Sequence, residues 1–220
     1  MTRTKPAEQR RADLLAAGQA QFLAKGIAAT SLEDITSGAG VSKGLFYLYF
    51  KSKEDLVLAL QDRFSSEFAE RIRTAVAAEP DWAAKLDACV QASFDFSRDM
   101  HDLHEVLFHH VAHAADHREG EGHGLVLETI ARILAEGTAA GAFDIEDPRN
   151  TAVLYYASMH AFDPDFHGGH EANPADPNSK ADPNSKADPN SKADPNSKAD
   201  RAIVRAAQVL FRRAAGVRAG

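Results

Sequence analysis

The sequence predicts an all-α protein with two domains, and three observations support this. Apolar residues recur at helical spacing, as in the series Leu56, Leu60 and Phe64. Capping residues, prolines and glycines stand where such stretches begin and end. Near the N-terminus, two short helical stretches flank a glycine-containing turn, which is typical of a helix-turn-helix. We therefore expect a three-helix helix-turn-helix domain at residues 1–53 and a helical ligand-binding and dimerisation domain at 54–220.

The helix-turn-helix prediction rests on residues 31–49, which read SLEDITSGAGVSKGLFYLY. Ser31 and Asp34 have the spacing of a capping box, in which each side chain binds the other's backbone N–H group. Gly40 stands where the chain must turn, and Ser42 can cap a second helix. In a DNA-binding motif of this kind the second helix enters the major groove. An ordinary αα-hairpin, with its Tyr and Leu side chains in the core, is the alternative.

The same region resembles the N-terminal domain of TetR-type repressors from about Arg10 to Leu60. The resemblance implies an all-helical homodimer that binds double-stranded operator DNA and is released by a small-molecule effector. One residue, Glu33, departs from the family pattern, in which a basic or neutral side chain is frequent there. The segments that carry the resemblance are Gly26-Ile27, Thr30-Ser31-Leu32, Ile35, Ala39-Gly40-Val41-Ser42-Lys43-Gly44, Phe46-Tyr47, Tyr49-Phe50 and Ser52-Lys53-Glu54.

We expect the residues that contact DNA to lie in and beside the second helix of the motif. Small residues there let the backbone approach another surface, and hydroxyl and ammonium groups are common partners of phosphate. Lys53 opens the following helix, where backbone N–H groups also favour an anion. The predicted DNA-binding residues are Ser31, Ser42, Lys43, Gly44, Leu45, Tyr47, Tyr49 and Lys53.

Positive charge is concentrated in the N-terminal part of the chain. Residues 1–55 hold eight Lys/Arg and six Asp/Glu, a net +2, which leaves −9 for the rest of a chain whose total is −7. A basic N-terminal domain on an acidic body suits phosphate contact by that domain alone.

Cys89 is the single cysteine, so we expect a reducing compartment. The absence of a secretory signal pattern and of long apolar runs predicts a cytoplasmic protein that does not enter the membrane.

The predicted second domain contains a series of helices, expected at about 53–77, 81–98, 99–118, 125–140, 147–162 and 200–215. We expect the middle four to enclose an effector cavity, because such pockets are mostly apolar with a few polar groups. The predicted lining residues are Phe94, Leu103, Leu107, His110, His113, Ile130, Tyr156 and His160. The last two helices have wide apolar faces and are expected to form the dimer interface.

The histidine-rich helix predicted at 101–117 offers an alternative ligand, a divalent metal ion. His109, His113 and His117 step by four residues and would share one helical face, with His110 at its edge. The outer two are ~12 Å apart along a helix, so a site would need two of them and a third ligand from elsewhere. Candidates for that ligand are His160, Asp163, Asp165, His167 and His170. Two other interpretations of these histidines remain: a polar helix face in contact with solvent, or the lining of a pocket for an organic ligand. Neither of them requires a cofactor.

A disordered insert is expected at residues 172–198, where ADPNSK occurs four times between 175 and 198. Proline at every sixth residue prevents regular helix or sheet, and the repeats contain no large apolar group to bury. We therefore expect a linker without a binding site.

These features predict a ligand-responsive transcriptional regulator, most simply a repressor, and not an enzyme. A metal-sensing repressor that uses the histidine-rich helix is the first alternative. The second is a helical metal-dependent hydrolase, because His101-Asp102 resembles the doublet of helical phosphohydrolases. That family needs an earlier His ligand, and no His precedes residue 101. The sequence also lacks a glycine-rich phosphate loop and a nucleophile elbow.

Overall fold

The computed structural model describes residues 6–109, 121–159 and 198–217, and these residues contain helices and no strand. The all-α prediction is confirmed. No helix in these ranges is long and apolar enough to span a membrane. The helices are α1 (Ala7–Ala29), α2 (Leu32–Ala39), α3 (Lys43–Phe46), α4 (Lys53–Ala77), α5 (Trp82–Asp99), α6 (His101–His104), a π-helix (Glu105–His109), α7 (Glu121–Ala139), α8 (Pro148–Met159) and α9 (Lys198–Ala214).

The chain forms two compact units, one of Met1–Glu70 with Asp99–Val126 and one of Arg71–Arg98 with Leu127–Gly220. The first unit extends beyond residue 53 because α4 packs closely on α1. A Cβ added at Gly18 of α1 would lie only 2.6 Å from Cδ2 of Leu56 in α4. Only glycine therefore allows this approach without moving Leu56. The domain boundary expected at residue 53 stays a prediction.

The first unit has an apolar core to which each of its first four helices contributes. Burying each such side chain stabilises the fold by about 1.5–3 kcal/mol. Within the loop after α3, Phe50 packs on Phe46 with 5.6 Å between ring centroids. The core therefore holds both helices of the motif against α1 and α4. Its fully buried side chains include Leu14, Phe22, Ile35, Phe46, Leu56 and Leu60.

Both ends of α2 form as the sequence predicts. The Ser31 backbone N–H donates to Oδ2 of Asp34 at 2.7 Å, and the Asp34 N–H donates to the Ser31 hydroxyl at 3.2 Å. The capping box is thus complete. Gly40 ends the helix with a φ of 65°, in the left-handed region that glycine occupies without strain. The ammonium of Lys25 lies 2.7 Å from the same Asp34 oxygen, so α1 is tied to the start of α2.

The second helix of the motif is shorter than predicted. Only Lys43–Phe46 is α-helical, and residues 47–49 form turns. The backbone N–H groups of Leu48 and Tyr49 donate to the carbonyls of Leu45 and Phe46, three residues back in each case. Phe46 and Phe50, on either side of these turns, are both buried in the core.

The predicted helix at 99–118 also differs in the part that is described. It starts as α6 and continues as the π-helix, in which hydrogen bonds close one residue later than in an α-helix. The 100° spacing used to place His109 on a common face therefore does not apply to this segment. Gln61 of α4 donates to the Leu107 carbonyl at 2.7 Å and so satisfies a backbone group of the π-helix.

The second unit is organised around α5 and α9. Arg212 of α9 binds Asp87 of α5 through two charge-assisted hydrogen bonds, of 2.7 and 2.5 Å. Nearby, the Tyr155 ring of α8 stacks on Phe211 of α9 with 4.2 Å between centroids. The first turn of α9 begins at Lys198, the last residue of the predicted repeats. The other repeat residues lie outside the described ranges.

We predict that Asp34→Asn destabilises the protein at neutral pH and has little effect in acid. Hydrogen bonds from Lys25 and Ser31 hold the pKa of the Asp34 carboxyl well below its ordinary value of 3.8. A depressed folded-state pKa contributes stability above the ordinary pKa, and this contribution is lost as the pH falls below it. Urea unfolding from neutral to acidic pH measures the difference between parent and variant.

The matched control is Asp62→Asn, which removes an exposed carboxylate from α4 in the same unit. An Asp34→Asn penalty that stays constant down to the most acidic pH would contradict the prediction, since it would not depend on ionisation.

Candidate nucleic-acid interface

The helix-turn-helix is held by backbone hydrogen bonds across its turn. After Gly40, the Val41 N–H donates to the Thr36 carbonyl at 2.9 Å, which folds the chain back onto the end of α2. Ser42 then accepts a hydrogen bond from the Leu45 N–H at 3.2 Å and caps α3. The direction of α3 is thus set by local hydrogen bonds.

One side of α3 and its following turn is open to solvent. Ser42, Lys43 and Gly44 are exposed, and the exposed fraction of Tyr47 is 57%. Phe46 points the other way and is fully buried, with its ring 5.6 Å from the Tyr47 ring in an edge-on arrangement. The buried Phe46 therefore orients its neighbours outward, so most of the predicted DNA-binding residues of α3 share one exposed surface.

Three other predicted DNA-binding residues are placed differently. Leu45 and Tyr49 are half-buried and contribute only part of their side chains to the surface. Ser31 is exposed, but its hydroxyl donates to Asp34 at 2.6 Å as part of the capping box. A phosphate contact by Ser31 would have to share that hydroxyl with the cap. The DNA contacts of all three stay predictions.

Leu48 is a candidate interface residue that the sequence prediction missed. Its side chain is 77% exposed, the highest value among the large apolar residues found exposed in the described ranges. It lies four residues after Gly44, which is the helical spacing that could have identified it. An apolar side chain in this position suits the methyl group of thymine.

Lys43 is paired within the motif itself. Its ammonium lies 3.0 Å from Oε2 of Glu33 in α2, and both side chains are largely exposed. An exposed pair of this kind contributes at most about 1 kcal/mol and opens readily. If Lys43 contacts phosphate as predicted, Glu33, the residue that departs from the family pattern, would compete for it.

Lys53 has a structural role that the sequence did not indicate. Its ammonium donates to the carbonyls of Ile27 and Thr30 at 2.7 and 2.9 Å. These bonds connect the start of α4 to the last turn of α1 and to Thr30, which follows that helix. An ammonium has three N–H donors, so one is left for a phosphate oxygen. The DNA contact of Lys53 stays a prediction.

The predicted effector residues fall into both units. Leu103 and Leu107 are buried in the first, whereas Phe94 and Ile130 are buried in the second. Tyr156 belongs to the second unit, where burial raises its pKa to about 12. The role of Tyr156 in binding an effector stays a prediction. His110, His113 and His160 lie outside the described ranges, so the effector cavity stays a prediction.

The predicted metal ligands are mostly outside the described ranges as well. This holds for His113 and His117 and for the third-ligand candidates His160, Asp163, Asp165, His167 and His170, while only the backbone of His109 is described. Among the residues that the structure describes, no group of three His, Cys, Asp or Glu side chains could hold a metal ion. The described residues thus do not support a metal centre.

The geometry described so far is that of a helix-turn-helix protein with an exposed, partly cationic second helix. Residues 14–60 match the family described as "Bacterial regulatory proteins, tetR family". The chain is 36% identical over 91 residues to the HTH-type transcriptional activator FasR of Mycolicibacterium smegmatis, covering 41% of this chain and 42% of that one. It is 35% identical over 86 residues to the HTH-type transcriptional repressor KstR2 of Mycobacterium tuberculosis, covering 39% and 43%. The match therefore spans less than half the length of these relatives.

The fold as a whole is also similar to a solved structure. The transcriptional regulator FadR from Bacillus subtilis, solved in complex with stearoyl-CoA, aligns with a TM-score of 0.67 at 19% identity. The alignment covers 92% of this chain and 98% of that one. Residues 14–60 therefore place the N-terminal part of this chain in the tetR family of bacterial regulatory proteins.

We predict that Gly44→Leu abolishes operator binding and leaves the fold intact. A Cβ at Gly44 would have only the Ser42 Oγ within reach, at 3.8 Å, so the protein itself has room for a side chain. The added bulk would instead separate α3 from the DNA. Gel retardation measures binding and thermal unfolding measures the fold. Gly124→Leu, at an exposed glycine with open space around it in the same unit, is the control. If the Gly44→Leu variant binds the operator as tightly as the parent does, α3 is not part of the DNA interface.

We predict that Glu33→Gln strengthens DNA binding roughly threefold to tenfold and steepens its salt dependence. The change frees Lys43 and removes a carboxylate that repels phosphate, so about one more counterion is released on binding. The control is Glu146→Gln, which removes the same charge from an exposed position in the second unit. Weaker binding to the operator alone, with unchanged binding to other DNA, would contradict competition and indicate that Glu33 reads a base.

Proposed function

We propose that this protein is a ligand-responsive transcriptional regulator that binds operator DNA as a homodimer, acts in the cytoplasm and has no enzymatic activity. The observation that carries the proposal is the exposed surface of α3, fixed by the Ser42 cap and by the buried Phe46. A surface of this kind, presented by a helix-turn-helix, fits the major groove. The matched relatives are named as transcriptional regulators, which agrees with this role.

A homodimer is expected because a single helix-turn-helix reads only half of a symmetric operator. In the second unit, α8 exposes 73% of Leu154 and α9 exposes 60% of Leu210. Val153 and Val209 stand beside them and are each 45% exposed. Apolar side chains exposed to this extent on two helices are typical of an interface, and these are the helices predicted for dimerisation from the sequence.

The effector is proposed to be a small organic molecule with a large apolar part. The sequence places mostly apolar residues in the predicted cavity, with Tyr156 as a protonated polar group. Long-chain acyl-CoA is the first compound to test, because the structurally similar FadR was solved with stearoyl-CoA. Such a ligand releases DNA only to the extent that it binds the DNA-free conformation more tightly. A repressor released by its effector is the simplest form of this regulation.

The proposal is tested by selecting DNA from a library of genomic fragments with the full chain. We expect an enriched inverted repeat, with half-sites one or two helical turns apart. Its affinity should fall steeply with salt, since phosphate contacts release counterions. Selection without a shared sequence, or binding that does not respond to salt, would contradict a specific DNA-binding function. Titration of the retarded complex with acyl-CoA and with uncharged lipids then tests the effector class.

We predict that Leu154→Glu or Leu210→Glu converts the dimer to a monomer and weakens operator binding at least tenfold. Either change places a carboxylate in an apolar interface, where an unpaired charge is costly. Sedimentation measures the oligomeric state. The control is Leu58→Glu, at a leucine of α4 that is 48% exposed in the first unit. A variant that stays dimeric would exclude these helices from the interface.

A further inference from the structure

The second compact unit contains a cavity of about 270 Å³ that the predicted function does not use. It lies among the end of α4, the start of α5 and the middle of α7. None of its lining residues belongs to the predicted effector set, and none falls within residues 14–60 that match the family. The cavity is therefore a separate candidate site.

Its lining has an excess of positive charge. Arg73, Lys85 and Arg132 contribute three cations, whereas Glu136 is the single carboxylate among the lining residues. The excess does not follow from composition, because the chain as a whole carries a net charge of −7. Within the described ranges, Arg132 is exposed and forms no ion pair. Cations gathered around one cavity repel each other, and a bound anion would relieve that repulsion.

Contacts within the unit position two of these cations. The Lys85 ammonium lies 4.3 Å from the centroid of the Trp82 ring, a cation–π distance that keeps the charge beside the cavity wall. Nη1 of Arg73 lies 3.5 Å from Oγ1 of the buried Thr129, a long hydrogen bond between α4 and α7. Lys85 and Arg73 thus have defined places before any ligand binds.

The remaining wall is apolar. Val76 and Ile133 are buried, and Trp82 adds a half-buried aromatic ring. Guanidinium groups bind phosphate through paired hydrogen bonds. A phosphate monoester carries about −1.5 to −2 charges at neutral pH, so it is attracted to a lining that contains more cations than carboxylates. The volume approaches the lower limit of ligand pockets, about 300 Å³, so it suits a small molecule.

We propose that this cavity binds a small organic phosphate monoester. The phosphate lies against Arg73, Lys85 and Arg132, and the organic group lies on Trp82 and the apolar wall. This assignment rests on charge, volume and wall chemistry, so it stands independently of the proposed DNA-binding function.

The chain provides its own probe, since Trp82 is the only tryptophan. The full chain is titrated with phenyl phosphate while tryptophan fluorescence is recorded. Inorganic phosphate, phenol and benzoate are the comparison ligands. We expect a saturable change with phenyl phosphate, weaker binding of benzoate and inorganic phosphate, and none of phenol. Binding should weaken as NaCl is raised, because the attraction is electrostatic. A phenyl phosphate response that does not saturate, or one matched by phenol, overturns the proposal.

Three variants locate the site. Arg132→Gln should weaken phenyl phosphate binding about tenfold, by loss of one charge-assisted contact. Glu136→Gln should strengthen it, because it removes the only lining carboxylate. Arg205→Gln, at an exposed arginine of α9 outside the cavity, should bind as the parent does.

Glu136→Gln also guards against misfolding as an explanation, since damage to the site would weaken binding and not strengthen it. Equal affinities of the Arg132→Gln and Arg205→Gln variants, or weaker binding by Glu136→Gln, would show that the anion binds elsewhere and would overturn the assignment.

Discussion

The first unit depends on satisfying the backbone groups at the end of α1, which is kinked at Gly26, and in the short connection from there to α2. Gly26 leaves the helical conformation with a φ of 79°, so the carbonyls around it lose their usual partners. The Thr30 hydroxyl donates to the Gly26 carbonyl at 2.7 Å, and Lys53 donates to those of Ile27 and Thr30. On the other side of the connection, Asp34 accepts from both Lys25 and Ser31. Lys25 of α1, Asp34 of α2 and Lys53 of α4 thus all form bonds at this connection. These bonds orient the helix-turn-helix.

This arrangement changes how a loss of DNA binding by Lys53 variants should be interpreted. Removing the ammonium takes away the predicted phosphate contact, but it also removes a donor from two carbonyls, those of Ile27 and Thr30, of which the first still accepts from the Thr30 N–H at 3.3 Å. Unsatisfied buried groups cost about 1–3 kcal/mol, as much as the loss of a phosphate contact would be expected to cost. A variant such as Lys53→Ala therefore reports on both roles. Two measurements separate these roles. A smaller dependence of DNA binding on salt reports loss of the phosphate contact, whereas easier unfolding of the free protein reports loss of the hydrogen bonds to the carbonyls.

The features that the sequence predicted correctly are those decided by residues close together in the chain. The capping box of Ser31 and Asp34, the turn at Gly40 and the bounds of α4 follow from local spacing and local hydrogen bonds. The pairing of Glu33 with Lys43, separated by ten residues, depends on how α2 and α3 are placed. The sequence also predicted a longer α3 than the four residues Lys43–Phe46 that are helical. The shift to a π-helix at Glu105–His109 accompanies the bond from Gln61, 46 residues away from Leu107, so no local pattern could predict it.

The net charge of the chain does not predict the charge of its individual surfaces. A net charge of −7 suggests a protein that avoids anions, yet two local surfaces indicate the opposite. At α3, the effective charge depends on whether Lys43 faces Glu33 or phosphate, and an exposed pair with little net stability lets the lysine change partners at low cost. In the second unit, the cations come from α4, α5 and α7, far apart in sequence. The acidic surplus elsewhere limits non-specific attraction to DNA, so we expect anions to bind only at surfaces where the fold brings cations together.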